Sequence, residues 1–266
     1  MTIWEGLLLG LLQGLTEFLP ISSSGHLVLG EHLLGLRTDG ITFEIMVHFG
    51  TTLSVLTYFG RDLWAMLRGA LRWLLNGDAR RVPGPEVQAA RWIGYIALAT
   101  IPSALVGLGF RDAVEAAFAN PRLVAGMLLV TGTLLLLTKL RQTPGTSLSA
   151  WRALLVGLAQ AAAITPGISR SGATVAMALY LGVERETAAR FSFLLLLPVV
   201  LGATLLEVPR LGSESAPWGP VLVGTAAAYL SGLLAIYTLL AAIRRGRLEI
   251  FAGYCYLVGL LGLIAL

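Results

Sequence analysis

The sequence predicts an all-α polytopic membrane protein built as an inverted-topology repeat, each half one re-entrant helical hairpin plus three transmembrane helices, six full spans in total. Three observations predict it. Of 266 residues, 56% are hydrophobic and 13% charged, with a mean hydropathy of +0.79, far from the roughly one-quarter charged composition of soluble domains. The chain also matches itself at an offset of 147 positions: residues 4–35 and 151–182 share 13 identities in 32, against roughly three expected by chance. Finally, segments 13–26 (QGLTEFLPISSSGH) and 160–174 (QAAAITPGISRSGAT) place Glu, His, Arg and clustered Ser at matching points of the two copies. Such residues are costly in lipid and usually functional.

The first repeat, residues 1–147, opens on the apolar run 4–19, which as a helix reaches only about 24 Å, short of a hydrocarbon core of about 30 Å. Pro20 and a Ser-Ser-Ser-Gly turn end it, and a second short helix is expected to run to about residue 35. A broken helix of this kind is tolerated at membrane depth only inside protein or beside a water-filled cavity, so 4–35 is read as a re-entrant hairpin. Spans at about 41–60, 92–110 and 123–140 follow. The second repeat, 148–266, has its hairpin at 151–182, broken at Pro166 and Gly167, and spans at about 191–208, 220–243 and 250–266. Three spans per copy make the second copy enter from the opposite face.

Basic residues give the orientation. With the loop 61–91 on the cytoplasmic side, 14 of the 19 Lys and Arg are cytoplasmic, Arg37, Arg111, Arg122 and Arg210 lie outside, and Arg170 alone remains within the membrane, as the positive-inside rule expects. Both termini and the site's opening then face outward. The net charge of +4 is explained by these loops, so nucleic acid is not an expected partner. No basic region precedes the first apolar run, which is expected to belong to the mature fold rather than to a cleaved leader. The single cysteine, Cys255, excludes an internal disulfide or thiolate cluster and reads as a buried structural thiol.

The copies differ where chemistry is expected: Glu17 aligns with Ile164, His26 with Ala173 and Ser23 with Arg170. A pseudo-two-fold axis between the tips would bring Ser23 and Arg170 together. The Arg fork suits phosphate, and hydroxyls with free N–H groups at a helix start complete an anion cradle. A hydroxyl or imidazole beside a carboxylate, with a cation opposite, has the outline of nucleophile, base and charge stabiliser. Bland readings stand beside these. Ser22 and Ser24 recur as Ser169 and Ser171, so helix capping has equal weight. Pro20, Gly25, Pro166, Gly167 and Gly172 read as turn formers whose backbone N–H groups matter. Gln13 recurs as Gln160, which favours a structural hydrogen bond over catalysis. Glu44 and His48, one turn apart, either line an access route or form a solvated rim.

QGLTEFLPISSSGH resembles the Glu/Gln-rich first motif of bacterial undecaprenyl-diphosphate phosphatases, and PGISRSGAT their Pro-Gly-x-Ser-Arg-Ser second motif; the similarity covers essentially the whole chain. The resemblance implies hydrolysis of undecaprenyl diphosphate to undecaprenyl phosphate, recycling the carrier of peptidoglycan precursors and conferring bacitracin resistance. It implies that Arg170 grips the diphosphate, with Ser22, Ser24, Gly25, Ser169, Ser171, Gly172 and Thr174 around it. Ser23 is the preferred nucleophile, with His26 as its base one helical turn on; His26 acting itself, through a phosphohistidine, stays open. Glu17 either orients His26 or ligates a divalent cation, Mg²⁺ or Ca²⁺, with no organic cofactor. Gln13 stands where the family has Glu or Gln, which weakens any metal role there. Implied partners are the polyprenyl diphosphate, membrane lipids and a second copy of the chain as homodimer. The competing class is a lipid-phosphate flippase or anion transporter, which shares inverted repeats and broken helices but needs no Ser-x-x-His beside a carboxylate.

Overall fold

A computed structural model describes residues 1–34, 41–75, 84–140, 145–207 and 217–266. Arg37 and Arg210, on which the orientation partly rests, lie outside them, as does the middle of the loop 61–91. Among the described residues the chain is helical apart from a single isolated bridge between Thr146 and Val183. The helices are α1 (Ile3–Phe18), α2 (Ser23–Leu34), α3 (Ile41–Tyr58), α4 (Gly60–Leu75), α5 (Pro85–Gly109), α6 (Arg111–Phe118), α7 (Pro121–Leu137), α8 (Ala150–Ala162), α9 (Arg170–Tyr180), α10 (Arg185–Glu207), α11 (Trp218–Arg244) and α12 (Glu249–Ala265).

Helix ends follow local chemistry. Thr2 and Glu5 form a reciprocal capping box at the start of α1, and α1 stops two residues before Pro20, which has no N–H to continue it. Asn120 caps α7, which begins with Pro121, the favoured residue at a first helical position. Glu184 caps α10: its carboxylate accepts from the backbone N–H of Glu186 and Thr187 and from the Thr187 hydroxyl.

Three helical stretches among the described residues, 87–109, 121–140 and 218–244, are long and apolar enough to cross a membrane, and α12 is a shorter apolar helix. The chain is a helical membrane protein. The expected span 41–60 falls on α3, whose 18 residues reach about 27 Å at 1.5 Å per residue, and 191–208 falls on α10, which begins earlier and carries Arg185, Glu186 and Arg190 in its first two turns. Expected loop 61–91 instead holds α4 and the start of α5.

Helix α10 is the centre of the core. Phe191, Phe193, Leu194, Leu195 and Leu196 are all buried, as expected of a helix apolar on every side. Phe193 packs edge-on against Phe18 of α1 at 5.8 Å and lies 5.7 Å from Phe59. Outside, Leu105, Leu108, Leu222, Leu230, Leu234, Leu257, Leu260 and Ile264 expose apolar surface, the face expected toward lipid tails.

Small residues let α1 sink onto α11. A Cβ at Gly10 would lie 2.1 Å from the Gly224 carbonyl oxygen, and one at Gly14 would lie 2.0 Å from Ser231 Oγ. Close approach through small residues four apart is the usual means of pairing helices without a hydrophobic drive. Helix α8 uses the same device on α5, where a Cβ at Gly157 would lie 2.3 Å from the Ala99 carbonyl.

Candidate active site

Two broken hairpins, α1–α2 and α8–α9, meet tip to tip. A Cβ at Gly25 would approach the Gly167 Cα to 3.3 Å, and one at Gly172 would approach Pro20 Cβ to 3.2 Å. The tip carbonyls are held from behind: Thr131 Oγ1 donates to Gly167 O at 2.8 Å, and Cys255 Sγ lies 3.6 Å from Pro20 O. Each tip feeds a helix start. Ser22 Oγ accepts from Gly25 N, and Ser169 Oγ accepts from Gly172 N, leaving backbone N–H groups of the first turns of α2 and α9 directed at the tips.

Glu17, in the last turn of α1, is the hub. Its side chain is 8% exposed; Oε1 accepts from Arg170 Nη2 at 3.0 Å, while Oε2 accepts from Ser23 Oγ at 3.0 Å and from Gln13 Nε2 at 3.0 Å. Gln13 Nε2 also stands 3.2 Å from His48 Nδ1, which is 3.9 Å from Glu17 Oε2. Ser23 and Arg170 thus meet on the two oxygens of one carboxylate. Phe18, locked against Phe193, fixes the turn that carries Glu17. Ser22 takes φ = +68°, an uncommon conformation for a residue with a Cβ and one that collects at functional sites; it turns the chain so that Ser23 opens α2 facing Glu17.

These groups open on a cavity of 480 Å³. Its polar wall is Gln13, Ser23, Ser24, Glu44, His48, Ser103, Gln160 and Arg170, and its apolar wall includes Leu27, Val28, Phe43, Val47, Phe118, Ile164 and Val199. Two of its lining residues keep an oxygen without a partner: the Oε1 atoms of Gln13 and Gln160 are buried and unbonded among the described residues, while Gln160 Nε2 donates to Ser103 Oγ at 2.9 Å.

Not every expected residue reaches the cavity. His26 does not serve Ser23: its Nδ1 is 2.8 Å from Ser22 O, its Nε2 is 2.8 Å from Tyr254 OH, and its ring stacks on Tyr254 at 5.5 Å. Glu17 takes the place at Ser23 that was expected for His26, and it does not contact the imidazole. Ser169, Ser171 and Thr174 are buried behind the tip. Ser169 and Ser171 pair at 3.2 Å, Ser171 Oγ donates to Leu19 O, and Thr174 Oγ1 joins Ser192 Oγ at 2.6 Å. They brace the second hairpin rather than line the cavity, as the Ser22–Ser24 pair at 3.3 Å braces the first. His48 and Glu44, given equal weight as rim, line the cavity, His48 next to Glu17.

Four supporting residues escaped the sequence reading. Tyr254, Thr131 and Ser103 sit in apolar helices far along the chain from their partners. Ser192, whose carbonyl lies 3.5 Å from Arg170 Nη1, follows Phe191 in what reads as a plain span.

The donor set can be tested against a divalent cation. Among the described residues no cluster of three His, Cys, Asp or Glu forms a protein cage. A hard cation that keeps water and phosphate ligands needs only one or two carboxylates; Glu44 lines the cavity, and the Glu17 carboxylate lies directly behind the lining residues Ser23, Arg170 and Gln13, which it accepts from. The residues fit such an ion when a phosphate completes its shell.

Comparison with known proteins gives a consistent result. The family described as bacitracin resistance protein BacA matches residues 6–261. An undecaprenyl-diphosphatase of Salinibacter ruber is 49% identical over 269 aligned positions, covering 99% of both chains. Others, from Desulforapulum autotrophicum and Korarchaeum cryptofilum, are each 42% identical and cover 98% or more of both chains.

Proposed function

The chain belongs to the BacA family of bacitracin resistance proteins, and on that premise we propose that it hydrolyses undecaprenyl diphosphate to undecaprenyl phosphate and phosphate. The single observation that carries this reading is the Ser23–Glu17–Arg170 cluster, a hydroxyl and a guanidinium on opposite oxygens of one carboxylate, at the mouth of a cavity with one polar and one apolar wall. The flippase reading has no use for a hydroxyl held by a base.

In the reaction, Glu17 Oε2 takes the Ser23 hydroxyl proton as Oγ attacks the terminal phosphorus. The bond from that phosphorus to the bridging oxygen breaks, and its electron pair leaves on undecaprenyl phosphate. Water then displaces phosphate from Ser23: Glu17 returns the serine's proton to the departing Oγ, and a proton from the water replaces the one that His48 gives to the first leaving group. Arg170 retains N–H groups beyond the one given to Glu17, and these neutralise charge on the equatorial oxygens. Free N–H groups at the starts of α2 and α9 add fixed donors. His48 supplies a proton to the departing oxygen. His26 is a positioning residue, tying the first turn of α2 to Tyr254 on α12, and Ser169, Ser171 and Thr174 hold Arg170's turn. Glu17 and Glu44 would hold a Mg²⁺ or Ca²⁺ ion, which would offset diphosphate charge. Leu27, Val28, Phe43 and Val199 receive the first isoprene units.

The inverted repeat is part of this reading. Residues 20 and 25 correspond to 167 and 172 at the 147-residue offset, so the contacts Pro20–Gly172 and Gly167–Gly25 are exchanged by a two-fold operation. The Ser22–Ser24 and Ser169–Ser171 pairs, and the packing of Gly10 on α11 and Gly157 on α5, support the same symmetry. Halves 1–147 and 148–266 then form one membrane domain, with both termini outward and the cavity opening to the outer leaflet.

The test is phosphate release from undecaprenyl diphosphate by purified protein in detergent. Turnover by the wild type and its loss in Arg170→Lys, with an unchanged elution profile, is the expected result. Transport of the lipid across vesicles with no phosphate released by either protein would overturn it.

A further inference from the structure

A second cavity, of 610 Å³, shares no residue with the first. It lies between α4 and the starts of α5 and α10. Arg61, Arg68 and Arg72 enter it from one face of α4, because steps of seven and eleven residues return to nearly the same helical angle at 3.6 residues per turn. Arg190 of α10 lines the opposite wall. Of the cavity's three carboxylates, Asp62 and Glu186 pair with Arg190 of its own lining at 3.4 and 3.9 Å, Glu186 also pairs with Arg244 at 3.1 Å, and Glu184 caps α10. Among the described residues no ion pair joins a carboxylate to Arg61 or Arg68.

Beside the arginine row runs an apolar one. Trp64, Leu67, Leu71 and Leu74 recur at helical spacing, and each is more than half exposed. The Arg68 guanidinium lies 5.2 Å over the Trp64 ring, joining the two rows. A cationic row abutting an exposed aromatic and aliphatic row is the pattern of a helix lying in the membrane interface, where Trp and Arg settle at headgroup depth. A free phosphate would use the arginines alone; a phospholipid uses both rows, its phosphate among the arginines and its acyl chains along the leucines.

We propose that α4 is an interfacial helix and that the cavity between it and α10 is a binding site for the headgroup of an anionic phospholipid. This site is separate from the diphosphate chemistry and does not rest on it.

The full chain, reconstituted in phosphatidylcholine nanodiscs with a trace of acyl-labelled phosphatidylglycerol or acyl-labelled phosphatidylcholine, tests this by energy transfer from the protein's tryptophans to the label. Wild-type protein should enrich the anionic label several-fold over the zwitterionic one. Each of Arg61→Gln and Arg68→Gln should lower that preference about fivefold, while release of phosphate from a short isoprenyl diphosphate in detergent stays unchanged. Equal enrichment of the two labels by wild type, or an unaltered preference in the double variant, would overturn the proposal. So would displacement of labelled phosphatidylglycerol by millimolar inorganic phosphate as readily as by unlabelled phosphatidylglycerol.

Discussion

At the residue scale, Glu17 organises three groups that otherwise have no reason to share a place: a serine hydroxyl, a guanidinium and the Gln13–His48 pair. Replacing it by glutamine keeps the shape and removes the proton acceptor. Glu17→Gln should therefore lower turnover by about 10²–10⁴-fold, and by leaving Arg170 without its partner it should also lower stability by about 3 kcal/mol, seen as an earlier thermal transition. Combining it with Arg170→Gln should recover much of that stability and none of the activity. Tyr254 offers a finer test. If His26 acts by positioning, Tyr254→Phe removes one hydrogen bond worth about 1 kcal/mol and should slow phosphate release about fivefold. An unaltered rate in Tyr254→Phe alongside loss of activity in His26→Ala would return His26 to direct chemistry. Glu17, Ser23 and Arg170 were legible in the sequence because a charge inside an apolar run is itself a signal. Tyr254 was not, since a tyrosine in an apolar helix has no such contrast and its partner lies 228 residues away.

At the element scale, the depth of Glu17 depends on how closely α1 lies against α11. Gly10→Val would force its side chain into the Gly224 backbone. Overpacking of this kind costs typically 1–3 kcal/mol and should displace the last turn of α1, so activity should fall more than the thermal transition does. Capping gives a pH dependence. The Thr187 hydrogen bond, with those from the Glu186 and Thr187 backbone, holds the Glu184 carboxyl below its ordinary 4.5. A depressed native value means the contribution is present above the unfolded value and is lost as pH falls through the native one. Glu184→Ala should cost about 1 kcal/mol near neutrality and less in acid, as thermal melts across pH would show. Hairpins and their breaks were readable from Pro20, Pro166 and Gly167. Helix α4 was not, because Arg61, Asp62, Arg68 and Arg72 gave its stretch the composition of a loop; the seven- and eleven-residue spacing of its arginines was the overlooked periodicity.

At the scale of the whole molecule, the proposed repeat makes the chain an asymmetric use of one scaffold: Ser pairs, capping bonds and glycine contacts recur at the two hairpins, while Glu17 and Arg170 each occur once. The proposed orientation rests on the basic loops. Arg245→Cys, in a Cys255→Ser background, should react with an impermeant thiol reagent only after the membrane is opened; labelling in intact cells would reverse the sidedness and place the cavity mouth inward. The six-span count belongs to the proposed repeat: three stretches among the described residues qualify by length and composition, and α3, α10 and α12 carry the other three expected spans.

The most direct test of the account is the rate of phosphate release from undecaprenyl diphosphate by Ser23→Ala, measured on protein that keeps the wild-type thermal transition. With Ser23 as the group that attacks phosphorus, the rate should fall by at least about 10³-fold, with Ser22 and Ser24 unable to substitute because they are paired with each other. A Ser23→Ala protein that releases phosphate within a few-fold of the wild-type rate would contradict it.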